Sequence, residues 1–276
     1  DLSPARKSRV FEYLSQLSSL LFLNLQNNDL QDFPRALVSL SKLQALNLHN
    51  NHLTAIPPFI NQFQNLSSFR VSKNKLPDLP EHFGNLGQLR DLSLRNNHLE
   101  QIPSTFGKLI ALQNLDLSLN NLTRLPSNIT HLINLQYLKL SGNKLRTLPF
   151  SFGQLKSLKS LDLSFEGFTL NELNHLPDSF VKLSQLETLD LSSCVLFSLP
   201  EDFDQLISLK HLNLAFNSLE LLPESLGQLY NLETLNLNTN RLIRLPSTLK
   251  YLQNLRILNV NRSEEHTSEL QSLLII

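Results

Sequence analysis

The chain repeats itself at a fixed interval. The string LxxLxLxxNxL, with other residues standing in for a few of its leucines and asparagines, starts at Leu20, Leu43, Leu66, Leu89, Leu112, Leu135, Leu158, Leu186, Leu209, Leu232 and Leu255. Nine of the ten intervals are 23 residues, and the one from Leu158 to Leu186 is 28. A regular lap constrains the architecture more than any local propensity, because each lap can bury its apolar side only against the next. Composition agrees: 69 of the 276 residues are Leu and 29 are Asn, a bias that a mixed globular core does not show.

The second half of each lap repeats as well. An apolar residue followed by Pro recurs at Pro34, Pro57, Pro80, Pro103, Pro126, Pro149, Pro177, Pro200, Pro223 and Pro246, which are ten of the 13 prolines. Three and six residues beyond each stands an apolar pair, as with Phe83 and Leu86. Alternation within LxxLxLxx is the period of a strand with one buried face. The PxxFGxL stretch suits a short helical or 3₁₀ turn, whose first position tolerates Pro because it needs no N–H partner. Strand, turn, helical return and strand give parallel neighbours joined by right-handed crossovers. The expected fold is therefore α/β: a right-handed solenoid with a parallel sheet on its concave face and helical or 3₁₀ turns on its convex face. About eleven repeats fill residues 20–261. Residues 1–19 are expected to be a partial N-terminal repeat or flank, since Phe11, Leu14 and Leu17 fit the same half-pattern.

Asparagine occupies one slot of the lap at Asn28, Asn51, Asn74, Asn97, Asn120, Asn143, Asn217 and Asn240. There the chain leaves the strand and its backbone groups lose sheet partners; an amide offers two donors and an acceptor to satisfy them. These residues are expected to form a structural ladder. The combined pattern LPxxFGxLxxLxxLxLxxNxL resembles the 23-residue repeat of intracellular leucine-rich-repeat proteins, especially the Ras-group type, over about residues 11–261. The resemblance implies a scaffold, with small GTPases, kinases or phosphatases as protein partners.

Three features depart from the pattern. Five residues are added between Phe165 and His175, which puts Glu166 in the ladder slot; a buried charge there would be costly, so the register is expected to slip. Cys194 fills the following ladder slot and is expected to be an inert, weak donor. After Asn261 the repeat stops. The stretch from Arg262 to Ser272 resembles the translation of a sequencing adapter, so 262–276 is expected to be a non-native tail.

Lys plus Arg and Asp plus Glu are 24 each, so the basic excess of a general nucleic-acid binder is missing. A single Cys forbids an internal disulfide and favours a reducing, intracellular compartment. No apolar run is long enough to span a bilayer. The chain begins at Asp1 and contains no Met, so it is read as part of a longer protein.

Neither GxxxxGK, GxGxxG nor GxSxG occurs. His49 and His52 lack ligand-type neighbours and read as a solvated rim pair, and the sequons at Asn65, Asn121 and Asn128 as by-products of an Asn-rich and Ser-rich repeat. No catalytic residue, metal or cofactor is expected. What remains is the concave face, where slots two, four and six after the first Leu point away from the core. They place Arg70, Arg95, Asp116, Tyr137, Lys139, Asp162, Asp190 and His211 on one surface as candidate partner-binding residues. Slot seven carries Leu119, Phe165 and Phe216, either packed or forming an exposed stripe. The expected function is a non-enzymatic interaction scaffold or adaptor in intracellular signalling. The alternatives are the repeat region of a larger enzyme or channel subunit, or an extracellular receptor ectodomain.

Overall fold

A computed structural model describes residues 4–261, with side chains from Val10 onward; the expected tail at 262–276 lies outside the described residues. Helix α1 (Pro4–Ser15) is followed by strands β1 (Phe22–Asn24), β2 (Ala45–Asn47), β3 (Ser68–Arg70), β4 (Asp91–Ser93), β5 (Asn114–Asp116), β6 (Tyr137–Lys139), β7 (Ser160–Asp162), β8 (Thr188–Asp190), β9 (His211–Asn213), β10 (Thr234–Asn236) and β11 (Ile257–Asn259). They make one eleven-stranded sheet in chain order, every pair parallel. The return segments are 3₁₀ turns that follow the repeated prolines, such as Glu81–Asn85 after Pro80 and Ser104–Lys108 after Pro103. The solenoid expected from the repeat is the fold found.

Each strand is three residues long, and its central apolar residue is buried in the inner coils: Leu46, Phe69, Leu92, Leu115 and Leu138 stack in register across β2 to β6. The 3₁₀ side is filled by a second apolar layer that includes Phe63, Phe83, Phe106, Phe152, Phe180 and Phe203, all buried. Phe83 stacks on Phe106, and Phe152 on Phe180, each with ring centroids 6.0 Å apart and planes within 5° of parallel. Neighbouring strands sit about 4.8 Å apart. A coil spacing that is wider at the phenylalanine layer than at the sheet bends the stack with the sheet inside, which makes the sheet face concave.

The asparagine ladder is buried as expected from Asn51 to Asn240. Asn120 is typical: its Nδ2 donates to the carbonyls of Leu94 and Leu117 at 3.0 Å, and its Oδ1 accepts from the N–H of Leu99 at 3.0 Å. One amide thus ties two coils. Asn28 differs from its sequence assignment: it is exposed, and its amide donates to Gln26 of its own coil. At the insertion the register does slip. The buried rung is Asn171, which donates to Leu140 and Leu163 and accepts from Leu145; Glu166 leaves the ladder altogether. Cys194 keeps its rung, with its thiol donating to the Leu163 carbonyl at 3.3 Å, and burial pushes that thiol's pKa far up. It is protonated and inert as a nucleophile.

Two features were not anticipated. A second set of rungs runs along the outer side, where Asn134, Asn231 and Asn254 donate to Ile110, Ile207 and Tyr230 one coil back; Asn65, read above only as part of a sequon, does the same to Ser41. The N-terminal segment is an α-helix rather than the 3₁₀ half of a repeat, with Phe11 and Leu14 packed against the core. Phe11 stands in the slot where the other laps carry Pro, so nothing interrupts a helix there; Pro4 is tolerated as the first residue, and Ala5, Arg6 and Lys7 follow with good helix propensity.

Two substitutions test this packing. Asn120→Ala leaves buried backbone groups unpaired and is expected to cost about 1–3 kcal/mol in denaturant unfolding; an unchanged midpoint would contradict a buried ladder. A Cβ on Gly153 would run into the carbonyl oxygen of Ser179 on the next coil, whereas Gly87 has open space around it. Gly153→Ala is therefore expected to destabilise by about 1–3 kcal/mol, and Gly87→Ala to be neutral or slightly stabilising.

Candidate functional site

The concave face is built by strand alternation: the central residue of each strand goes to the core and the flanking ones face outward. Across β2 to β6 this face deepens into an open cleft of about 640 Å³. Five of the eight sequence-predicted residues meet there: Arg70, Arg95, Asp116, Tyr137 and Lys139. Tyr137 is 47% exposed, a large amphipathic side chain near the middle of the groove. Asp162, Asp190 and His211 lie further along, on β7, β8 and β9, outside this cleft.

The aspartates also have a local duty that sequence reasoning missed. Asp116 Oδ1 accepts from the N–H of Ser118 at 3.0 Å, Asp162 from Ser164 at 3.0 Å and Asp190 from Ser192 at 2.9 Å. Each secures a backbone donor just past its strand, as Asn47 does for His49. Asp190 Oδ2 also accepts from Asn213, and His211 pairs with the Thr234 hydroxyl at 3.0 Å. The slot-four aspartates are strand-end caps first, with a surface role in addition.

The slot-seven residue adopts a left-handed conformation in most coils: φ is 52° at Asn50, 53° at Lys73 and Asn96, 52° at Leu119, 63° at Gly142 and 57° at Phe216. The chain turns there, so the side chain swings outward instead of following strand alternation. Phe216 is accordingly half exposed, and Leu119 lies against Gly142 and Gly167; Phe165, at the start of the insertion, is half exposed without taking this conformation. The same turn brings Lys73 into the cleft beside Arg70 and His49. Reading slot seven across coils, rather than only slots two, four and six, would have found Lys73.

The insertion folds back over the rim of this surface. Glu166 and Thr169 form an antiparallel bridge, Thr169 donates to the Gly142 carbonyl at 2.8 Å, and Phe168 at the tip is fully exposed. Glu166 is clamped by Arg95 in a two-pronged ion pair, one prong 2.7 Å long. Ser141 donates to the same carboxylate at 2.9 Å, and Arg95 also reaches the Ser118 hydroxyl at 2.7 Å. The hydrogen bond from Arg95 holds the Glu166 carboxyl below its usual range against the opposing effect of burial, with Ser141 and Lys139 helping; Glu166 in turn raises the Arg95 pKa. Residues 71 positions apart in sequence are thus joined across three coils. At the other end of the cleft, burial and then the charges of Lys73 and Arg70 push the His49 pKa down.

The model of the leucine-rich repeat region matches residues 78–163 and 128–214, and that of the single leucine-rich repeat matches 42–63 and 208–229. A leucine-rich-repeat protein of Leptospira interrogans is 32% identical with a TM-score of 0.79, covering 90% of this chain and 68% of its own. TLR13 in its complex with ssRNA13 is 31% identical, TM-score 0.76, covering 92% of this chain and 38% of its own. The plant peptide hormone receptor RGFR1 in complex with RGF2 is 25% identical, TM-score 0.71, covering 91% and 45%. The chain belongs to the leucine-rich-repeat family. It spans under half the length of both receptor chains. Comparison with curated proteins gives no match. Among the described residues no helix is long and apolar enough to cross a membrane.

The Arg95–Glu166 clamp gives a pH prediction. Glu166 has a lower pKa folded than unfolded, so the stabilisation it contributes is complete above its ordinary value of 4.5 and is lost as pH falls through the depressed folded value. Both partners are about a third exposed, so the effect is about 1 kcal/mol or less. Wild type is expected to lose slightly more stability than Glu166→Gln between pH 7 and pH 3, read as the difference in urea midpoints; parallel losses would show that the clamp does not hold the loop.

Proposed function

We propose that this chain is a non-enzymatic protein-interaction scaffold that docks a folded partner on its concave sheet. The observation that carries this reading is the cleft in which Arg70, Asp116, Tyr137 and Lys139 come together on neighbouring strands, with Arg95 beside them held by Glu166. Arg and Tyr are residues that interface centres favour, and mixed charge gives orientation and specificity more than bulk attraction. The eleven strands span on the order of 50 Å, wide enough for a partner domain. A leucine-rich-repeat domain commonly binds protein, and the similar plant peptide hormone receptor RGFR1 forms a complex with RGF2.

The finer reading is intracellular signalling, with a small GTPase, kinase or phosphatase as partner. It is supported by the resemblance of the 23-residue repeat to the Ras-group type and by a lone cysteine spent on a buried rung rather than a disulfide cap. The competing reading as a receptor ectodomain draws on the related receptor chains of greater length.

Once a partner is in hand, Tyr137→Ala combined with Lys139→Glu is expected to weaken binding at least tenfold in calorimetry. Lys108→Glu, exposed on the convex 3₁₀ turn, is expected to leave it unchanged. The reverse pattern would move the site off the concave sheet.

A further inference from the structure

We infer that the end of the cleft where Arg70, Lys73 and His49 converge is a carboxylate-binding subsite, which takes an acidic side chain of an extended partner segment lying across the strands. This deepens the concave-face reading and rests on it.

Four observations carry the inference. The first is unbalanced charge. Among the described residues Arg95, Arg146, Lys210 and His52 each have a carboxylate within 4.0 Å, whereas Arg70, Lys73 and His49 have none. Burial and then the charges of Lys73 and Arg70 push the His49 pKa down, as expected where the three stand together in the cleft. Secondly, the donors suit an oxyanion. A guanidinium, an ammonium and an imidazole stand with the hydroxyls of Ser72 and Ser93, which are 2.6 Å apart in the same cleft. Thirdly, the protein already performs this recognition once on the same face. Arg95 and the Ser141 hydroxyl hold the carboxylate of Glu166, with the Ser118 hydroxyl accepting from Arg95. Arg70 likewise shares its part of the cleft with two hydroxyls, those of Ser72 and Ser93, but with no carboxylate in an ion pair.

The fourth observation sets the class of occupant. Asp91 and Asp116 line the cleft immediately beyond the cluster, and Arg95 is neutralised by Glu166. A polyanion such as a nucleic acid strand would meet repulsion one strand further on, while a peptide with acid at one end and neutral or basic residues next would not. Four strand spacings separate β2 from β6, on the order of 19 Å, or about six extended residues. The fitting segment thus has a Glu or Asp over Arg70 and Lys73, a basic or neutral polar residue facing Asp91 and Asp116, and an apolar residue against Tyr137.

The probe is a fluorescein-labelled eight-residue peptide with two glutamates at one end, an arginine in the middle and a leucine at the other, compared with its glutamine counterpart by fluorescence anisotropy. Wild type is expected to bind the glutamate peptide at least tenfold more tightly than the glutamine one, with a preference that shrinks as salt rises. Arg70→Glu with Lys73→Glu is expected to abolish that preference, and the milder Arg70→Gln with Lys73→Gln to reduce it; both residues are exposed, and an unchanged thermal melt checks the fold. Equal binding of the two peptides overturns the inference, as does a preference that survives charge reversal. So does an affinity weaker than about 1 mM for both peptides, or tighter binding by a single-stranded RNA oligonucleotide of similar length. If Tyr137→Ala with Lys139→Glu abolishes binding while the Arg70 and Lys73 variants do not, the subsite fails and the concave reading stands. If only Lys108→Glu abolishes it, both fail.

Discussion

A buried rung in each inner coil, an amide everywhere but at Cys194, holds the stack together. Where each strand ends, the chain must turn into the core, and carbonyl groups such as Leu94 O and Leu117 O are left without sheet partners in a region closed to water. An unpaired buried polar group costs on the order of 1–3 kcal/mol, so a stack of such turns stands only if every one is satisfied. The amide does this and joins neighbouring coils in the same act. It also dictates the residue before it, which enters the left-handed region so that the rung can point inward. Asn and Gly adopt that conformation at low cost, while Lys73, Leu119 and Phe216 adopt it at a penalty that the ladder and core must outweigh. Those costly side chains are the ones displayed at the rim.

The insertion shows how strict the ladder is. Five extra residues could have lengthened any exposed turn at small entropic cost. Here they displace the residue that counting assigns to the rung, and the chain restores the rung with the next suitable amide, Asn171, before resuming its 23-residue lap. Glu166 is thereby released to the surface, and its captor is an arginine three coils back. A surface ion pair between third-exposed groups contributes little to global stability. Its consequence is positional: it fixes the loop against the cleft, removes Arg95 from the groove's supply of positive charge, and leaves Phe168 in water.

Periodicity made the fold legible, because the same demand is written eleven times and a chance match in one lap is corrected by the others. Seven of the eight ladder asparagines, the apolar pair after each Pro and the outward slots followed from counting alone. What counting could not supply was anything that happens once. The contact between Arg95 and Glu166 joins positions 71 residues apart through a loop that breaks the register, so no spacing encodes it. The capping duty of Asp116, Asp162 and Asp190 lies within two residues of each and was visible in the recurring Asp-Leu-Ser or Asn-Leu-x triplets, but a surface reading of the slot hid it. Asn65 was obscured in the same way by its sequon, although its place just before the repeat's first Leu, shared with Asn134 and Asn231, marks it as an outer rung.

A neutral chain can still present a strongly directional surface, because net charge sums over positions that the fold separates. The 24 positive and 24 negative side chains cancel in sequence, yet the sheet sorts them: cations at His49, Arg70 and Lys73, carboxylates at Asp91 and Asp116, then Tyr137 and Lys139. Alternating sign along a groove weakens attraction for any uniformly charged polymer and rewards a ligand whose own charges alternate in step. The spacing of that alternation is the strand spacing, which the buried amides and the core fix coil by coil. Specificity on this face is therefore a property of the rung as much as of the exposed residues, because loosening one rung disturbs the spacing of charge between the two coils that it joins.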